Sequence, residues 1–417
     1  MADWGPWLGY ALDWANLLLR WAHVVVAIAW VGSSFYFVWL DNNLTPPQDE
    51  ALKEKGVGGE LWAVHGGGFY NPQKYLGAPK RLPDQLHWFY WESYSTWLTG
   101  FALFTALYLF NAGTFLIDPQ VKAWTPASAV GAALGFLVGF WLVYDLLCRT
   151  VGRRPGQERL LGALVAAVVA GAAWLACQWF AGRAAFLLVG AMIATAMSAN
   201  VFFWIIPGQR KVVAAMRAGE PVDPNHGLRG KQRSVHNTYF VMPVLFAMLS
   251  NHYPFLTGAR HNWLVLVAVM LAGALIRHSF VARHKARLAG QAAPWGWAAA
   301  GVAMLVVVGV WQAPTASAPQ VPDGVRQTGA ADNASLLLPQ VLVVVKERCV
   351  VCHSSAAPNK GVALDSPELL TSHVQRVYQQ VVVLKAMPMN NATRMTPAER
   401  ELIARWAGAQ LKAPTSP

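Results

Sequence analysis

Charge is scarce in this chain. Only 13% of its 417 residues are Asp, Glu, Lys or Arg, while 55% are hydrophobic and 20 are Trp. A soluble domain of this length would need more charge to cover its surface, so that class is excluded. Cysteine is scarce as well, with four residues; Cys148 and Cys177 lie in or beside apolar runs and read as buried small side chains, leaving Cys349 and Cys352 as the one close pair. No Walker-type or dinucleotide glycine fingerprint occurs, and no internal repeat stands out. The first residues carry no Lys or Arg, and the first apolar run is longer than a signal-peptide core, so no cleavable leader is expected. A net charge of +12 invites a nucleic-acid reading. The Lys and Arg cluster between apolar runs rather than along one face, however, which argues against nucleic acid and for membrane topology.

What is present is a series of long apolar runs, over 12–40, 87–111, 127–148, 160–181, 184–206, 236–253, 262–281 and 295–312. Each is near the roughly 20 residues that a helix needs to cross the hydrocarbon core. Basic residues alternate between the connections. Lys53, Lys55, Lys74, Lys80 and Arg81 follow the first run; Arg149, Arg153, Arg154 and Arg159 follow the third. Arg210, Lys211, Arg217, Arg229, Lys231 and Arg233 follow the fifth, and Arg277, Arg283, Lys285 and Arg287 close the seventh. The other connections hold only Lys122, Arg183 and Arg260. The positive-inside rule then predicts a multi-pass protein of a bacterial inner membrane with both termini in the periplasm. Residues 313–335 are rich in Pro, Ala, Gly and Ser and read as a flexible tether. The fold class expected is all-α: a polytopic eight-helix membrane bundle over 1–312, the linker, and a small helical domain over 336–417.

Cys349-Val350-Val351-Cys352-His353 is a C-x-x-C-H haem attachment sequence. Two thiols one helical turn apart can add to two haem vinyl groups, and the next imidazole then lies under the iron. A structural zinc site would need a second close pair of donors, and His373 alone is available. The expected cofactor is therefore one covalent haem c, held by Cys349 and Cys352 with His353 as proximal ligand, on the exported side of the membrane. Met387, Met389 and Met395 compete for the sixth position. Met387 precedes Pro388 and the last helix, whose Thr396, Pro397 and Glu399 form a capping box; Met387 is preferred.

Ionisable residues inside a bilayer are costly, which makes each a functional candidate. His23 shares a helix face with Ala27, Trp30 and Ser34, and Glu92 shares one with Trp88, Ser95 and Thr99. His236 and His252 are sixteen residues apart, about 24 Å along an ideal helix, and so belong to opposite membrane faces. His23, Glu92, His236 and His252 are the candidates for catalysis, each weighed against a plain hydrogen bond between helices. A b-type haem is a further expectation, with His87 and His278 as its candidate ligands. Arg277, Arg283, His284 and Lys285 read as positive-inside markers. The His65-Gly66-Gly67-Gly68-Phe69-Tyr70 run allows close backbone approach to a ligand but lacks the setting of a nucleotide loop.

Five stretches together carry a family resemblance: HVVVAIAWVGSSFYFVWLD (23–41), HGGGFY (65–70), LHWFYWESYSTWLTGF (86–101), HNTYFVMPVLFAMLSNHYP (236–254) and the C-terminal C-x-x-C-H region. They resemble the bacterial membrane-bound urate oxidases linked to cytochrome c, across essentially the whole chain. The resemblance implies a catalytic membrane domain followed by a cytochrome c domain. It implies oxidation of urate to 5-hydroxyisourate with oxygen from water, and electrons passing through the haem c to a soluble or membrane acceptor such as a cytochrome c or a terminal oxidase. The alternative is an electron-transfer or quinol-oxidising cytochrome subunit of a respiratory complex.

Overall fold

The structure, a computed structural model, describes residues 5–75, 79, 82–313, 330–358, 361–383 and 385–412. Lys80, Arg81 and most of the expected tether lie outside the described residues. The fold is mostly helical. Helix α1 (Gly5–Asn43) leads through a short α2 (Glu50–Glu54) to four strands, β1 (Val57–Glu60), β2 (Ala63–His65), β3 (Gly68–Tyr70) and β4 (Gln73–Tyr75). Helix α3 (Trp91–Phe104) continues as a π turn to Leu109, and α4 (Ala112–Phe115) precedes α5 (Pro126–Thr150) and α6 (Glu158–Trp179). Helix α7 (Gly182–Asn200) runs through a π turn into α8 (Ile206–Ala218), followed by α9 (Pro224–Leu249), α10 (Pro254–Thr257), α11 (Asn262–Leu288) and α12 (Trp295–Trp311). The C-terminal unit comprises α13 (Ala330–Arg348), β5 (His353–Ser354), β6 (Ala357–Pro358), α14 (Pro367–Ser372), α15 (Val374–Val377) and α16 (Pro397–Lys412).

Among the described residues, five helical runs are long and apolar enough to cross a membrane: Asp13–Asn43, Pro126–Arg153, Glu158–Trp179, Gly182–Ala218 and Asn262–Leu288. α3, α9 and α12 pack among them. α9 falls outside the five because its first half is polar, with Gln232, Arg233, Ser234, His236 and Asn237 before the apolar stretch. It is also longer than the run 236–253 suggests: Asp223 caps it, Pro224 opens it, and Pro243 sits inside it without ending it. Neighbouring helices and local adjustment let a membrane helix absorb such a proline.

The bundle is built around α7. Phe186, Leu188, Val189, Met192 and Ile193 are fully buried there, and α5, α6 and α9 surround it. Gly190 lets α9 approach, since a β-carbon there would stand 2.8 Å from that of Ala247. α1 is the reverse case. Leu17, Leu18, Trp21, Val24, Val25 and Ile28 are exposed, as suits a helix with one face toward lipid.

The strands depart from the all-α expectation and are small. β1 pairs with β4, β2 with β3 and β5 with β6, each antiparallel. Gly66 and Gly67, at φ +60° and +81°, make the β2–β3 turn. The glycine run is thus explained by a hairpin that L side chains would strain. Connections holding the basic residues gather at one end of the bundle, where Arg217 donates to Asp84 O, Gln232 to Gly152 O and Arg287 to Leu44 O. At the other end Ala181 N–H donates to Leu116 O and Trp124 Nε1 to Trp179 O. The C-terminal unit docks on this second end: Gln120 Nε2 donates to Met395 O, and Asn390 Nδ2 to Thr114 O and Phe115 O.

Candidate functional site

In the C-terminal unit, α13 delivers the C-x-x-C-H segment to the edge of an apolar cluster that includes Val341, Val345, Leu370, Val381, Met395, Ile403 and Trp406. Amide bonds from Cys352 and His353 to Cys349 O close the turn, at 3.0 and 2.9 Å. Cys349 is buried and Cys352 exposed; burial pushes the Cys349 thiol up to about 11. His353 Nδ1 lies 3.0 Å from Val362 O. A carbonyl can only accept, so Nδ1 carries the proton and Nε2 keeps the lone pair that a metal needs. Among the described residues, no group of three or more His, Cys, Asp or Glu side chains forms a metal site, which leaves the structural-zinc alternative without ligands. Two thiols, a lone-pair Nε2 and nearby thioethers fit a haem c. Of the thioethers, Met395 is wholly buried in the packing core, while Met387 packs against that core half-exposed and Met389 starts a short turn.

The membrane-domain candidates do not converge on one site. His23 sits between α1 and α3, with Nδ1 3.0 Å from Thr99 Oγ1. The Thr99 hydroxyl already donates to Ser95 O, so the imidazole donates here and its Nε2 is free to accept. Gly100 makes room for that ring, since a β-carbon there would be 2.8 Å from His23 Cε1. Glu92 is half-buried, and its Oε2 finds no partner among the described residues. His87 is exposed before α3, edge-on to Phe89. His252 is exposed in the turn after α9, at the end where the C-terminal unit docks. His278 Nδ1 meets Tyr239 OH at 2.7 Å, and these two line a cleft of about 610 Å³ with Arg159, Ala274, Leu275 and Trp297.

His236 belongs to a buried network that the spacing of residues does not reveal. Its Nδ1 lies 2.8 Å from Tyr144 OH, which accepts from Asn200 Nδ2 at 3.0 Å; the same amide donates to Asn237 Oδ1. Arg233 donates to Asn200 Oδ1 and to Asp145 Oδ1, and Asp145 also accepts from Trp204 Nε1 and pairs with Arg149. Arg233 is 2% and Asp145 5% exposed. Arg233, expected in a basic connection, is therefore inside the bundle on α9. The available signal was Asp145, a lone carboxylate in an apolar run. Every polar atom of this network named here has a partner, so it reads as a brace that fixes α5, α7 and α9.

Open space and unpartnered polar atoms coincide elsewhere, between α1 and α11. A cleft of about 630 Å³ is lined by aromatic rings (Phe35, Tyr36, Trp39 and Phe280) with Asn42, Asn43, Arg277 and Arg283. Arg277 is 3% exposed. It donates to Ser34 O, lies 4.1 Å over the Phe35 ring, and its Nε finds no acceptor among the described residues. Asn42 donates to Val38 O and Phe280 O, which leaves its Oδ1 without a donor there. His284 lies two turns on from Arg277 on the same helix face, and its Nδ1 likewise finds no partner among the described residues. Native proteins rarely leave buried polar atoms unpaired, and Arg277 and Asn42 both line this aromatic cleft.

A family described as urate oxidase N-terminal matches residues 9–313. No curated protein and no solved structure matches the chain.

Proposed function

The chain belongs to the urate oxidase N-terminal family, and on that premise we propose that it oxidises urate to 5-hydroxyisourate in the α1–α11 cleft. The C-terminal unit then acts as a haem c domain that takes the electrons away. The observation that carries this reading is that Arg277 and Asn42, each with a polar atom that finds no partner among the described residues, line one cleft together with aromatic rings. Urate is a planar anion at neutral pH, with ring N–H donors and carbonyl acceptors. Arg277 suits its charge and carbonyls, Asn42 Oδ1 suits a ring N–H, and Phe35 and Phe280 suit its faces. Urate monoanion and water give 5-hydroxyisourate, one proton and two electrons. His284, on the same helix face as Arg277, is the imidazole proposed to take the proton. A haem c held by Cys349, Cys352, His353 and Met387 would accept electrons one at a time.

The same reading makes all eight long helices transmembrane and places the C-terminal unit in the periplasm. Its support is the geometry: the unit docks at the end of the bundle away from the basic connections. Substrate then reaches the cleft from the cytoplasmic end, where Asn42 closes α1. A b-type haem in the bundle is part of the proposal. His23 donates from Nδ1 to the Thr99 hydroxyl, an arrangement that suits Nε2 ligation. The quinol-oxidising alternative draws on the second cleft, where the Tyr239–His278 pair sits among apolar residues.

The experiment is urate turnover by the purified chain with a soluble cytochrome as acceptor. Arg277→Ala should raise KM by about thirtyfold or more, from loss of a buried charged contact. A wild-type chain that reduces its acceptor with quinol and not with urate would replace this reading by the alternative. An Arg277→Ala variant with unchanged KM would move the substrate out of the α1–α11 cleft.

A further inference from the structure

The segment from Lys385 to Met395, which bears Met387, is held from two sides. Four of its residues, Lys385, Asn390, Asn391 and Arg394, have positive φ between 48° and 58°, so the backbone follows a path that it does not favour by itself. From within the unit, Arg400 on α16 reaches across to it. Nη1 carries two N–H bonds and directs one to Met387 O and the other to Val381 O, both at 2.7 Å. Arg348 secures the far end by donating to Thr393 O. From the membrane domain, Asn390 is bound to Thr114 O and Phe115 O, and Met395 O receives Gln120 Nε2. Asp118 lies in the same loop, within electrostatic reach of Arg400. Burial raises the Asp118 carboxyl and lowers the Arg400 guanidinium, as expected of a pair enclosed where the two domains meet.

We propose that Arg400 is a positioning residue for the axial thioether of Met387, and that docking of residues 114–120 against Asn390 and Met395 completes its hold. The strength of iron ligation in the C-terminal unit thereby depends on contact with the membrane domain. This rests on the reading of the unit as a haem c domain. The physical reason is economy of constraint. A thioether is a weak ligand, and a segment with four left-handed residues returns it to the iron only if the backbone is fixed. Two charge-assisted bonds from one nitrogen tie Met387 O to Val381 O, and the outer loop fixes the residues that follow. A lysine in place of Arg400 holds its ammonium on a flexible stem and lacks the second nitrogen that lies 3.5 Å from Asn391 Oδ1, so it restores the hold only in part.

The test uses the intact haem-loaded chain, read by the red-region absorption band of Met-ligated ferric haem, by the midpoint potential and by covalent haem content. Arg400→Gln should weaken Met ligation about tenfold or more. It should lose most of the band and lower the potential, with covalent haem retained; Arg400→Lys should recover only part of the band. Asp118→Asn combined with Gln120→Ala leaves every bond inside the C-terminal unit in place, and should shift the potential in the same direction by less. Met387→Ala should abolish the band. A normal band and potential in Arg400→Gln, with the band lost in Met387→Ala, overturn the proposal alone. A wild-type potential in the Asp118/Gln120 double variant overturns the docking half. A band that persists in Met387→Ala overturns both the proposal and the ligand assignment on which it rests.

Discussion

At the level of single residues, Arg277 and Asn42 carry the proposal for substrate binding, because each keeps an unpaired polar atom beside a cleft that can hold a purine. Arg277→Lys retains the charge and loses the planar fork, so KM should rise about tenfold with kcat less affected. Steady-state kinetics separate the two. Arg233 has a different role. It is bonded to Asp145 and Asn200 in the interior, and Arg233→Ala would strand part of a buried carboxylate. The expected cost is about 3 kcal/mol, the lower end of the range for broken buried pairs because Arg149 still pairs with Asp145. Thermal unfolding in detergent measures it, and an unchanged midpoint would mean that the network is not a brace. These two arginines also mark what could be read from the sequence. C-x-x-C-H announced itself because its chemistry lies within five consecutive residues. Arg277 and Arg233 looked like topology markers because a positive charge near a helix end has the same appearance whether it faces water or the interior. What decides between them is a partner far along the chain, Asp145 for Arg233 and Ser34 for Arg277, and spacing carries no trace of that.

Among the elements, α16 shows the closest agreement between sequence and structure. Thr396 N–H donates to Glu399 Oε2 and Glu399 N–H donates to Thr396 Oγ1, with Pro397 in the first turn, as the capping box predicts. Burial pulls the Glu399 carboxyl upward, but the bonds from Thr396 and Arg348 and the charge of Arg348 outweigh it, and its pKa lies below the ordinary 4.5. A carboxyl depressed in the folded state stabilises above its unfolded pKa, and that contribution is lost as pH falls through the folded value. Acidification below the ordinary Glu range should therefore loosen α16, and Glu399→Gln should flatten that limb of the unfolding profile. A slope that is the same in both proteins would remove Glu399 from the account. The α1–α3 contact is equally specific. Gly100→Ala places a methyl group against His23 and should destabilise by about 1–3 kcal/mol. Helix limits were harder to read, because apolar runs end where charge begins, whereas α9 and α11 continue past it to buried arginines.

For the whole molecule, the proposed reading puts substrate at the end of the bundle that holds the basic connections and electron exit at the end where the C-terminal unit docks. Reporter fusions test its sidedness. A cytoplasm-active reporter should work after Arg154 or Lys231 and be silent after Gln320; activity at all three would break the eight-helix topology. The central claim is that electrons from urate leave through the C-terminal unit and do not pass directly to oxygen. It is tested by adding urate, without oxygen, to the purified intact chain and following the haem c spectrum. The account predicts that urate reduces the haem c, that turnover continues with an added acceptor, that little peroxide forms when oxygen is admitted, and that Cys349→Ala/Cys352→Ala stops turnover. A haem c that stays oxidised, stoichiometric peroxide, or full activity in the haem-less variant would contradict it.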